Sequence, residues 1–149
     1  MANRFYFLCI LVFSMAGFYV RADDANGGGV FGWPEFRGPN GNGIATVPGE
    51  IVGLPTEWDE SKNITWKAAI PHKGWSSPVV LEGNVWLTTA TEDGHDYFVI
   101  CLDAETGKIL LNEKLFHSDN PEPLGNDVNC YASPTPVVEP GRVYVNFGS

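Results

Sequence analysis

Two stretches of the chain carry side chains that could do chemistry. Glu92-Asp93-Gly94-His95-Asp96 sets three carboxylates and an imidazole within five residues, a donor set suited to a hard metal ion or to acid–base work. It lacks the acids at alternate positions ahead of the glycine that a calcium loop requires. Asp-Gly is also a common hairpin turn, so the stretch reads as a solvated loop between strands. The second stretch, His117 to Cys130, offers His117, Asp119, Glu122, Asp127 and Cys130 as ligands or catalytic groups. None of them stands at a recognisable metal-ligand spacing, and the plain reading is a rim loop. It is nevertheless longer than most connections, and long loops on rigid sheets tend to carry function. Trp66, Trp75 and Trp86 could make a stacking platform for a sugar or ring ligand, although tryptophans at this spacing more often pack a core.

The elements that must position these residues are strands. From Trp33 to Asn63, Gly and Pro recur too often for a helix, which leaves an irregular lead-in pinned by aromatics. Beyond it come short runs rich in Val, Ile, Thr, Trp and Tyr, each closed by a turn signal. Strands are predicted at Thr65 to Ile70, Ser77 to Leu81, Val85 to Ala90, Tyr97 to Leu102, Ile109 to Leu115, Pro136 to Val138 and Arg142 to Phe147. Gly83-Asn84 reads as a two-residue hairpin loop, and Pro140-Gly141 as the middle of a type II turn. Tyr97 to Leu102 is apolar at every position, so both its faces should be covered.

Self-similarity organises these runs. Ser77 to Leu87 lies over Thr135 to Val145 without a gap, at an offset of 58. Pro, Val, Val, Gly and Val coincide, Trp86 meets Tyr144 and Leu87 meets Val145. Four strands from Ser77 to Leu115 therefore make one unit, and a second unit opens near Tyr131 and stops after its second strand. One and a half units cannot close a ring of about 4 to 8, so the sequence reads as a fragment.

The apolar run Phe5 to Val20 follows Arg4 and precedes Ala22, which is the layout of a signal peptide cleaved after Ala22. Residues 23–32 then read as a flexible linker, 33–63 as the lead-in and 64–149 as the repeats. Removing the leader takes away Arg4 and Arg21, leaves eighteen acids against seven bases and moves net charge from −9 to −11. No cluster of Lys or Arg remains to neutralise phosphates, which excludes nucleic acid as a partner. An exported chain without a stable membrane span, periplasmic or extracellular, is the expectation. Cys101 and Cys130 would be free to bridge in an oxidising compartment, or to serve as small buried hydrophobes.

Asp103-Ala104-Glu105-Thr106-Gly107-Lys108, after an apolar strand and behind the Ser-Pro-Val-Val and Val-Trp-Leu hairpin, resembles the PQQ-like β-propeller repeat. Trp33-Pro34-Glu35-Phe36-Arg37-Gly38-Pro39-Asn40-Gly41 resembles the leader of exported bacterial members, so the likeness runs from Trp33 to Ser149. It implies an all-β fold of four-stranded antiparallel propeller blades. Asp103, Thr106 and Gly107 form a structural turn: the carboxylate takes backbone N–H groups as in an Asx turn, and Gly107 supplies a positive φ. The family repeat carries a tryptophan just after this turn, where it packs between blades; here Leu111 stands in its place. In such propellers the N-terminal strand completes the last blade. Thr65 to Ile70 would be that strand, with its sheet partners outside this sequence, and so poorly held. The resemblance implies only the propeller, since many members bind no cofactor; the function expected is a non-catalytic binding or scaffold module that needs no cofactor and meets a cell-envelope protein or a polysaccharide. It extends to the propeller lipoprotein of outer-membrane β-barrel assembly, but no lipoprotein cysteine stands at the cleavage point. The alternative is a dehydrogenase dependent on quinone (PQQ) and calcium, with most of its site residues in missing sequence; the adjacent cysteine pair common in those enzymes does not occur here.

Overall fold

The computed structural model describes residues 32–45, 55–125 and 128–148. Within them the fold is all-β. Strands β1 (Val79–Leu81), β2 (Asn84–Ala90), β3 (Asp96–Asp103) and β4 (Ile109–His117) form an antiparallel sheet in sequence order. Strands β5 (Val137–Glu139) and β6 (Arg142–Tyr144) form a separate hairpin. The runs of β-branched and aromatic residues become strands because such side chains pack on a pleated surface. The expected leader, residues 23–31 of the expected linker and Asp127 lie outside the described residues.

The repeat is reproduced pair by pair. Val79, Val80 and Leu81 oppose Trp86, Val85 and Asn84, while Val137, Val138 and Glu139 oppose Tyr144, Val143 and Arg142. Each pair in the second hairpin is its counterpart in the first moved by 58 positions. The loop of the first hairpin is Glu82-Gly83, one residue earlier than the Gly83-Asn84 expected, and both of its residues have positive φ, 50° and 75°. That is the backbone sign pattern of a type I′ turn, which matches the twist of the strands it joins. Glu82 accepts an αL conformation that seldom falls to a non-glycine residue, and this hides the turn from a reading keyed to Gly-Asn. In the second hairpin Pro140-Gly141 is the loop, with φ 76° at Gly141, as type II chemistry requires.

Strand β3 is covered on both faces: Val99, Ile100, Cys101 and Leu102 are all buried. One face meets the second hairpin, and at its upper end Tyr97 stacks on Phe116 with ring centroids 4.4 Å apart. Phe147 and Tyr131 meet Tyr97 edge-on, and Ala90 and Ala132 close this cluster. On the other face the His72 ring stacks on Phe98 at 4.0 Å. Strand β4 has two register irregularities against β3, which leave Leu110 and Leu115 without direct partners. Such bulges bend an outer strand.

Hydrogen bonds join the two repeats. Ser77 N–H donates to Thr135 Oγ1 at 3.1 Å, and these two residues are themselves 58 apart. Thr88 Oγ1–H donates to the Pro134 carbonyl at 3.2 Å. Trp33 pairs with Val80 through both backbone groups, and Val138 N–H donates to the Pro34 carbonyl at 2.9 Å. Trp33 and Pro34 thus bridge β1 and β5.

Thr65 to Ile70 is not a strand, which corrects that expectation: no strand edge stands beside it among the described residues, so no ladder can form. Nor is the segment loose, since Trp66 is docked through its ring. Its indole N–H donates to the Ala104 carbonyl at 3.0 Å, and a Cβ at Gly107 would overlap that ring.

Candidate functional site

Two features stand apart from the core. The first is a cavity of about 300 Å³ between the sheet and the second hairpin. Trp86, Val99, Leu111 and Leu115 form its sheet side, and Val138, Val143 and Val145 face them. Glu82, Glu113, Glu139 and Arg142 stand among the lining residues. The cavity exists because two strands pack over a sheet of four: β5 and β6 cover only part of the face that β3 and β4 present. Arg142 donates to Glu139 Oε1 at 3.0 Å, and Tyr144 O–H donates to the same oxygen at 2.6 Å. These bonds, Tyr144 foremost, hold the Glu139 carboxyl below its ordinary value.

The second feature joins the two stretches that the sequence keeps twenty residues apart. Antiparallel pairing sets Asp96 opposite His117, and the His117 Nδ1–H donates to Asp96 Oδ1 at 2.7 Å. Lys114 Nζ lies 3.5 Å from the same oxygen. His117, more than Lys114, holds the Asp96 carboxyl below its ordinary value. On its far side His117 Nε2 lies 3.5 Å from Asp119 Oδ1. The His95 ring stacks beside His117 with centroids 5.6 Å apart, fixed by its Nδ1–H donating to the Ser118 carbonyl at 2.7 Å. Carboxylates therefore stand beside both ring nitrogens of His117. Among the described residues, however, no group of three or more His, Cys, Asp or Glu is placed to hold a metal ion. What the cluster does is tie the start of β3, the end of β4 and the first residues of the long loop together. Of the loop candidates, His117 and Asp119 are brought together, Glu122 is exposed further along, and Asp127 lies outside the described residues. His95 and Asp96 are partners that a stretch-by-stretch reading separates from His117.

The repeat turn is satisfied locally. Asp103 Oδ1 accepts from Thr106 N–H at 2.8 Å, Thr106 Oγ1–H at 2.7 Å and Glu105 N–H at 3.2 Å. The Thr106 hydroxyl is the foremost cause of the lowered Asp103 value. Gly107 has φ 71°. Trp66 covers this turn from the segment ahead of β1, a contact across 38 residues. Trp86 lines the cavity, and Trp75 is half exposed with Lys73 Nζ 5.7 Å from its ring. The three tryptophans therefore serve three separate contacts and make no common platform. Cys101 and Cys130 are free and buried; burial, with Asp103 nearby, pushes the Cys101 thiol up to about 11, which makes it inert as a nucleophile. No helix among the described residues is long and apolar enough to cross a membrane.

Comparison with known proteins finds no matching family, no matching curated protein and no matching solved structure.

Proposed function

We propose that this chain is an exported β-propeller repeat protein of the PQQ-like kind, working as a non-catalytic binding or scaffold module for a cell-envelope protein or polysaccharide. One observation carries the reading: two hairpins 58 residues apart share one register and lie side by side, joined by a hydrogen bond between the equivalent residues Ser77 and Thr135. Repetition of a meander about a common direction is how a propeller is built. The turn Asp103 to Lys108, capped by Trp66, supports it as a docking point between successive units. The chemistry-bearing residues support a binding role, because their polar groups are spent on one another: Asp103 on its turn, Asp96 and His117 on the sheet-to-loop tie.

Two assays on the protein recovered from its producing cell test this. Equilibrium dialysis against PQQ with calcium is expected to retain no quinone, and co-sedimentation with the envelope fraction is expected to deplete the protein from solution. Retention of one quinone per chain would replace the scaffold reading with the dehydrogenase. Failure to sediment, with no quinone retained, would remove the envelope partner.

A further inference from the structure

We propose that residues 118–125 form a strap whose hold on the sheet is set by the charge of His117: an imidazolium between Asp96 and Asp119 pins the strap down, and a neutral ring releases it.

The proton count at His117 decides which state holds. Its Nδ1 stands 2.7 Å from Asp96 Oδ1 and its Nε2 3.5 Å from Asp119 Oδ1. A neutral imidazole has one N–H and one lone pair, whereas the imidazolium has an N–H on each nitrogen. Whichever nitrogen gives up its proton turns a lone pair toward a carboxylate, so the imidazolium alone suits both neighbours. The Asp96 contact is the shorter, and its side chain is 28% exposed against 92% for Asp119. A neutral ring therefore keeps Asp96 and gives up Asp119. The charges facing the ring come from four elements: Asp96 on β3, Lys114 on β4 with Nζ 3.5 Å from the Asp96 oxygen, Asp119 on the strap, and His95 on the β2–β3 connection. His95 stacks on His117 and spends Nδ1 on the Ser118 carbonyl, a bond that a neutral ring makes. With His95 neutral, Lys114 and an imidazolium balance Asp96 and Asp119, and loss of the proton leaves a net negative charge.

Release matters because of what the strap carries. Ser118 is bound to His95 in both directions, since its own N–H donates to the His95 carbonyl at 2.8 Å, so the strap hinges after it. Leu124 packs on the cluster of Ala90, Tyr97, Tyr131 and Ala132. Between Asp119 and Leu124 stand Pro121 and Pro123, whose rings fix φ and keep the residues before them extended. The arm is stiff, and movement at Asp119 reaches Leu124. Histidine changes charge between about pH 5 and 8. The pinned state holds the extra proton, so pinning is present at the acid end of that range and is lost as pH rises. Asp96 remains a carboxylate below the ordinary value, foremost through its bond with His117, so the acid end does not undo the pin there.

Proton NMR of the whole chain, from about pH 5 to about 8.5 to span the histidine range, tests this through the His117 ring and the Leu124 methyls, which the rings of the cluster shift. Leu124 is expected to move with the midpoint of the His117 ring, the ratio of pinned to released strap falling about two- to fivefold across the range, the worth of an exposed ion pair. Asp119→Ala alters a side chain 92% exposed and leaves the sheet's own bonds untouched. It should flatten the Leu124 response and lower the His117 midpoint by about 0.3 to 0.7 pH unit, the same two- to fivefold by reciprocity. His95→Gln should leave the His117 and Leu124 titrations coupled. A Leu124 signal constant with pH, or a response that persists in D119A, would overturn the proposal. So would a Leu124 titration that follows the His95 ring and vanishes in H95Q.

Discussion

The hairpins β1–β2 and β5–β6 share their register yet live in different surroundings. Val79 is fully buried, while its equivalent Val137 is 43% exposed. Trp86 faces the cavity from within a sheet of four strands, while its equivalent Tyr144 stands at the edge of a sheet of two and is 38% exposed. The difference shows that register belongs to the turn and the strand pattern, whereas stability belongs to the neighbours. A hairpin alone is marginal in water, and what stabilises the first is β3 paired along β2 and Trp33 paired along the edge of β1.

The sharpest way to break that comparison is to cut the core of each unit. Ile100→Ala removes a fully buried side chain and should cost about 2 to 5 kcal/mol. Val143→Ala, on the partly covered hairpin, should cost less than about 1 kcal/mol. Urea midpoints at unchanged slope measure both, and equal losses would mean that the two hairpins are equally supported.

The turns come next. Gly107→Ala meets a positive φ and the Trp66 ring together and should cost about 2 to 3 kcal/mol. Gly141→Ala has the same backbone sign with open space around it and should cost about 1 kcal/mol. In a double-mutant cycle Trp66→Ala should recover part of the Gly107→Ala loss; full additivity would remove Trp66 from the turn.

A smaller effect of opposite sign is expected at Thr89, whose Oγ1 is buried without a hydrogen-bond partner among the described residues. Thr89→Val should stabilise by up to about 1 kcal/mol, read as a raised melting temperature. The equivalent position in the second repeat is Phe147, which packs on Tyr97.

Acid should produce the mildest change. Asp103 and Asp96 have folded values below the ordinary 3.8, so their contribution is present above that pH and is lost as pH falls through the lower, folded values. D103N should flatten the acid limb of a urea-midpoint titration between neutral pH and this range. An unchanged limb would show that the turn bonds carry no linkage.

Much of the first unit was legible because its signals are local. Period, β-branched runs and the 58-residue offset place β1 to β6 to within two or three residues at each end, and Asp103 to Gly107 announces its own turn. What sequence hid is non-local or conformational. Trp66 reaches its turn across 38 positions. The positive φ at Glu82 shifted a loop by one residue. The pairing of Asp96 with His117 could have been found by counting outward from the β3–β4 turn, although the register breaks on β4 blur that count.

Amide hydrogen exchange at Val85 and Val143 tests the central claim most directly, because these equivalent residues should differ only in having a strand alongside. Val85, paired to β3, is expected to be protected at least about a thousandfold more than Val143, which has no strand alongside among the described residues. Equal protection at the two amides would mean either that β6 has a strand partner or that the two hairpins are not equivalent, and would overturn the contrast between them.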